Sequence, residues 1–149
     1  MGSQKRPSGA WMKKKIVAID FGMKRCGLAI SNETKTMALP WTTIAGGLNS
    51  VIAALQKREA EIEGIIIGLP LLMNGTRGDM AKTVERFAGA LGTALQMPVV
   101  LVDERLSSKH AESALREVGE TRKKRSEKTD ETAAAFLLQS YLTKTFLAT

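Results

Sequence analysis

The run Ile65-Ile66-Ile67-Gly68-Leu69-Pro70 constrains the fold of this chain more than any other stretch. It is short and wholly apolar, the pattern of a strand buried on both faces, and such strands occur where helices cover a sheet from both sides. Residues 98–105, "PVVLVDER", form a second run of this kind, and it ends in acids. A third, "KIVAID" at 15–20, also ends in a carboxylate, Asp20. A chain with three such strands is expected to be α/β.

The segments between these runs set the order of elements. After Asp20, the Gly-containing turn "FGMKRCG" and then "LAIS" read as a hairpin. "MALPWTTI" (37–44) reads as a third strand, with Pro40 marking an edge or a bulge. Residues 48–64 carry Val51, Ile52, Leu55 and Ile62 at broadly helical spacing and end on Gly64. Residues 78–96 form a second helix with Val84, Phe87, Leu91 and Leu95 on one stripe. Serines 107 and 108 suit the N-cap of a helix closing on Gly119, and Asp130 is expected to open a last helix over 130–147. The order β-β-β-α-β-α-β-α-α predicts a five-stranded mixed sheet with helices on both faces. An antiparallel β1-β2-β3 meander is followed by parallel β4 and β5. That is the ribonuclease-H-like order; a Rossmann domain alternates β and α from its first strand.

A chain of 149 residues is one domain, expected over 13–149 behind a disordered tail at 1–12. No apolar run approaches the roughly 18–20 residues that span a bilayer, and no signal-peptide core is evident, so a cytoplasmic protein is expected. One cysteine, Cys26, excludes an internal disulfide and a cysteine-based zinc site, and one histidine, His110, leaves no histidine cluster. Cys26 reads as core packing and His110 as an exposed helix residue. Any metal would be a hard cation held by oxygen. The net charge of +7 is concentrated: residues 1–15 carry +5, residues 121–128 carry +4, and the remainder sums to −2. The second cluster, Arg122, Lys123, Lys124, Arg125 and Lys128 with Glu127, is expected in a mobile loop over 120–129. A cationic segment there would grip a phosphate backbone and give affinity rather than sequence reading.

Three acids stand at element ends. Alternation puts Ile16, Ala18 and Asp20 on one face of the first strand, and Val100, Val102 and Glu104 on one face of the last. Asp130 follows the basic segment. Taken singly, each has an ordinary explanation: a turn-former, a strand-end surface acid, an N-cap. Taken together, Asp20 and Glu104 fall at the carboxyl ends of strands, where open α/β sheets build their sites, and if those strands are neighbours both acids converge with the start of the last helix at Asp130. Three carboxylates suit one or two Mg²⁺ or Mn²⁺ ions, and two ions about 3.5–4 Å apart can clamp an in-line phosphodiester displacement.

"VAIDFGMKRCGLAIS", "IIIGLPLLMNGTRGDMA", "VVLVDERLSS" and "KTDETAAAFLLQSYL", in that order over roughly residues 14–144, resemble the YqgF/RuvX-like family. Its members are described as pre-16S ribosomal RNA nucleases, and earlier as Holliday junction resolvases. The resemblance implies a ribonuclease-H-like nuclease with Asp20, Glu104 and Asp130 as metal ligands and catalytic acids. It further implies a Gly-rich loop after the fourth strand, where Gly68, Gly75 and Gly78 bring backbone near a phosphate, with Arg77 adding charge. Arg25 and Arg105 join the basic segment as candidate substrate contacts. Glu131, beside Asp130, is a competing ligand. The expected partner is structured RNA, with branched DNA as the alternative and no membrane; a monomer or weak homodimer is expected.

Two other classes compete for Asp20-Phe21-Gly22. A protein kinase needs a Gly-rich loop and a catalytic-loop motif that this chain lacks. A sugar-kinase-like ATPase uses Asp-x-Gly, but with two such domains around one nucleotide. From outside enzymes, a non-catalytic RNA-binding ribosome-assembly factor keeps the same fold.

Overall fold

The computed structural model describes residues 14–70, 78–103 and 122–147, with backbone alone over 122–129 and 146–147. Five strands form one mixed sheet in the order β3-β2-β1-β4-β5. They are β1 (Lys15–Asp20), β2 (Arg25–Ser31), β3 (Ala38–Ala45), β4 (Ile62–Leu69) and β5 (Val99–Asp103). β1 pairs antiparallel with β2 and parallel with β4, β2 pairs antiparallel with β3, and β4 pairs parallel with β5. Among the described residues the helices are α1 (Leu48–Gln56), α2 (Asp79–Leu95) and α3 (Arg122–Leu142), which runs into a π-helical turn over Thr143–Leu147. This is the ribonuclease-H-like arrangement.

The apolar runs behave as their composition requires. Val17, Ile19, Ile65 and Ile67 face α1 and α2 in one core layer, with Leu28, Val51, Leu55, Val84 and Leu91. Ile16, Ala18 and Ile66 face the other way, against Ala134, Leu137, Leu138 and Leu142 of α3. β1 and β4 therefore bury side chains on both faces, because helices cover both. Cys26 is buried in the first layer, as core packing predicts. Pro40 lies on an edge strand, and the β2–β3 register shifts beside it: Ala29 pairs with Pro40 while Leu28 pairs with Thr42. Edge and bulge are both realised, and together they accommodate a residue without an N–H.

Two expected boundaries move. The helix expected over 48–64 ends at Gln56, and a 3₁₀ turn (Glu59–Glu61) leads into β4, which begins at Ile62 rather than Ile65. Ile62 is a strand residue, paired with Lys15, and its match to the helical spacing was incidental. The second correction concerns the basic segment. From Arg122 onward it is helix, not loop, and Asp130 is the ninth residue of α3 rather than its first. Residues 122–142 contain neither glycine nor proline, and Arg, Lys and Glu are straight-chain residues that lose little on entering a helix. High charge is as compatible with a helix as with a loop.

Candidate active site

Asp20 is the last residue of β1, at the carboxyl end of the sheet. Alternation puts it on the α3 side, in line with Ile16 and Ala18. The next residue, Phe21, turns to the opposite face and meets Phe87 of α2 edge-to-face, with ring centroids 4.9 Å apart. Such a pair contributes about 0.5–1.5 kcal/mol beyond its buried area and fixes the strand end that carries Asp20. Gly22 then lets the chain turn, since a Cβ there would strike the carbonyl of Arg25.

Asp130 reaches the same place from α3, through Gly27. In the β1–β2 ladder Gly27 is the partner of Asp20. A Cβ on Gly27 would fall on the backbone of Asp130 and Glu131. Only hydrogen fits between β2 and α3 at this point, so the helix backbone lies directly on the strand beside Asp20. The close approach was missed in the sequence, where the signal was a lone glycine inside "RCGLAIS". Both acids are near enough to act on Cys26: burial pushes its thiol up, and the charges of Asp20 and Asp130 push it the same way.

Arg25, the first residue of β2, donates from Nε to Oδ2 of Asp130 at 2.6 Å. Thr43 of β3 donates its hydroxyl to Oε1 of Glu131 at 3.2 Å. Glu131 is thus turned toward β3, and Asp130 is the acid aimed at the β1–β2 end. Farther along α3, Gln139 accepts from the Ala38 amide and donates to the carbonyl of Thr36, which pins the helix along β3. α3 therefore runs down the sheet from Asp130. Its first eight residues, including Arg122, Lys123, Lys124 and Arg125, extend about 12 Å beyond the level of Asp130 at the site end.

The other expected site residues are distributed as follows. Gly68 is a buried residue within β4, paired with Val102, and not part of a loop; pairing with β5 continues to Leu69 and Asp103 and takes it into the sheet. Gly78 directly precedes α2. Glu104, Gly75, Arg77, Arg105 and His110 lie outside the described residues. Glu104 follows Asp103, the end of β5. Among the described residues no three His, Cys, Asp or Glu side chains gather as a metal cluster. The two placed acids offer oxygen alone, the donor chemistry of a hard divalent cation, and Asp130 already accepts a cationic group.

A family model, RuvX, described as Holliday junction resolvase, matches residues 14–144. The chain belongs to the RuvX family. A relative from Protochlamydia amoebophila, named "Putative pre-16S rRNA nuclease", is 42% identical over 138 residues, covering 86% of this chain and 92% of that protein. One of the same name from Syntrophomonas wolfei is 43% identical over 131 residues, covering 86% and 93%. Among solved structures, T. thermophilus RuvC in complex with Holliday junction substrate aligns with a TM-score of 0.54 at 16% identity. That alignment covers 88% of this chain and 94% of RuvC. At that identity it speaks to the fold alone. The RuvX match spans the carboxyl-end acids, α3 and both layers of the core in one unit.

Proposed function

We propose that this RuvX-family protein is a metal-dependent endonuclease that hydrolyses nucleic-acid phosphodiesters, acting on the 5′ end of pre-16S ribosomal RNA in the cytoplasm. Asp20, Asp130 and Glu104 would hold one or two Mg²⁺ or Mn²⁺ ions. Asp130 carries most weight. An aspartate at the start of a helix is explained by capping, but Asp130 stands in the ninth position of α3, where the residue type is unfavourable. It is also pressed against the strand next to Asp20 by a glycine contact. Helix formation does not favour an aspartate here, and its place beside Asp20 and Arg25 supports the ligand reading.

The cation would supply Lewis-acid polarisation of the scissile phosphate. The chain's own residues supply the rest. Phe21 and Phe87 hold the Asp20 strand end, and Gly27 sets the spacing of the two acids. Arg25 and the overhanging turns of α3 offer cations to the phosphate backbone, which positions a strand without reading its bases. The relatives' name supports RNA as the substrate, while the family description favours branched DNA as the second reading.

Asp20→Asn is the direct test. With Mg²⁺ or Mn²⁺ present, the wild type is expected to cut structured RNA, and the variant to lose cutting while binding the same RNA with unchanged affinity. Equal cleavage by the variant would remove Asp20 from the site. RNA binding by a wild type that cuts no nucleic acid would favour the assembly-factor alternative.

A further inference from the structure

Building on the metal-site reading above, we infer that Arg25 is a built-in counter-cation of this site. Its guanidinium holds Asp130 until a divalent cation takes that carboxylate, and it is then released to the substrate phosphate. The two residues are 105 positions apart, so the pair is not a by-product of helix spacing. At 2.6 Å it is a short, charge-assisted contact. The Arg25 side chain is 57% exposed and that of Asp130 is 28%, so the pair is open to solvent and both groups can be reached by an arriving cation or phosphate.

Two cations then compete for one carboxylate. Whatever the pair contributes is subtracted from the affinity of the site for metal. A partly exposed pair of this kind is worth a factor of about two to five. The competition is reciprocal. Metal at Asp130 frees a planar five-donor fork beside the site, the group best suited to a phosphodiester's paired oxygens. A phosphate that draws Arg25 away leaves Asp130 to the metal. The nucleic acid and the metal therefore each favour the other's binding through a single side chain.

The test uses Mn²⁺ alone, titrated into the full chain without nucleic acid and followed calorimetrically and by the loss of free Mn²⁺ EPR signal. Arg25→Gln is expected to bind Mn²⁺ two- to fivefold more tightly than wild type, with Arg25→Lys, which keeps a charge, within twofold. The gain is expected to vanish in an Asp130→Asn background. If Arg25 only props α3 against β2, Arg25→Gln would misplace Asp130 and bind Mn²⁺ no better or more weakly; either result overturns the proposal and leaves the metal-site reading standing. A wild type that binds no Mn²⁺ overturns both. A second measurement needs no variant. The Nε–H resonance of Arg25 should exchange slowly with solvent before Mg²⁺ is added and faster as Mg²⁺ is titrated in. A resonance indifferent to Mg²⁺ would also overturn the proposal.

Discussion

Gly27 does at the residue scale what no acid can do for itself. It occupies the one position in the β1–β2 ladder opposite Asp20, and its missing side chain is the space in which the α3 backbone lies. The obstacle to any larger residue is backbone rather than a flexible side-chain tip, so the helix itself would have to move. Gly27→Ala is expected to cost about 1–3 kcal/mol of stability, the usual range for overpacking. It should also shift Asp130 away from Asp20. Urea denaturation reads the first effect and Mn²⁺ affinity the second. A variant as stable as wild type would mean that α3 does not sit on β2 as described. The residue scale is also where the sequence was least explicit. Asp20 and Phe21 followed from strand alternation, and Cys26 followed from its lone, unclustered place. The Arg25–Asp130 pair and the Gly27 contact join distant residues, and no local pattern encodes a contact across 105 positions.

Among the elements, α3 departs most from its expected form. Its apolar half, from Ala133 to Leu142, was legible because Ala and Leu recur against the sheet, and Ala134, Leu137, Leu138 and Leu142 are buried there. Its cationic half carries no apolar stripe and was indistinguishable from a solvated loop by composition. Helix propensity, which is high for Arg, Lys and Glu, was the stronger guide. The helical form bears on binding, because a backbone already helical has less to order than a loop would. Replacing Arg122, Lys123, Lys124 and Arg125 together by Gln is expected to weaken nucleic-acid binding at low salt. If all four meet phosphates, the plot of log affinity against log salt should become shallower by about 3. An unchanged slope would show that these cations do not touch the substrate backbone. At the other end of the sheet, the 3₁₀ turn is tied to β1 through Glu61, which accepts from Arg58 and from Lys15. The Arg58 and Lys15 contacts hold its carboxyl down at about 2, against an ordinary value of 4.5. The folded-state value is depressed, so the stabilisation is complete above about pH 4.5 and lost as pH falls toward 2. The Glu61 side chain is more than a third exposed, so the worth of these contacts is under about 1 kcal/mol. Glu61→Gln should lower stability by that amount at pH 7 and by progressively less as pH falls through about 2, as measured by urea midpoints.

At the scale of the whole molecule, the sheet divides the chain into two core layers, and the acids mark where α3 crosses its carboxyl end. The order β3-β2-β1-β4-β5 keeps β1 central, with an antiparallel neighbour on one side and a parallel one on the other. Asp20 therefore sits between a hairpin that delivers Arg25 and Gly27 and a parallel half that delivers the end of β5. This much was legible in the order of runs and turns, because a meander followed by βα units admits few sheets. The choice of substrate depends on how many such sites act together. Resolving a four-way junction symmetrically requires two cuts related by a two-fold axis, and hence two copies held in one closed assembly. A single site with a basic helix overhang suffices to cut one strand of a structured RNA. Sedimentation of the full chain at assay concentration, followed by cleavage assays on a structured precursor RNA and on a four-way DNA junction, separates the two. A monomer that cuts the RNA once and leaves the junction whole is the expected result. A stable dimer that makes paired, symmetric cuts in the junction would transfer the assignment to branched DNA, with the acids and the basic helix keeping the roles given to them here.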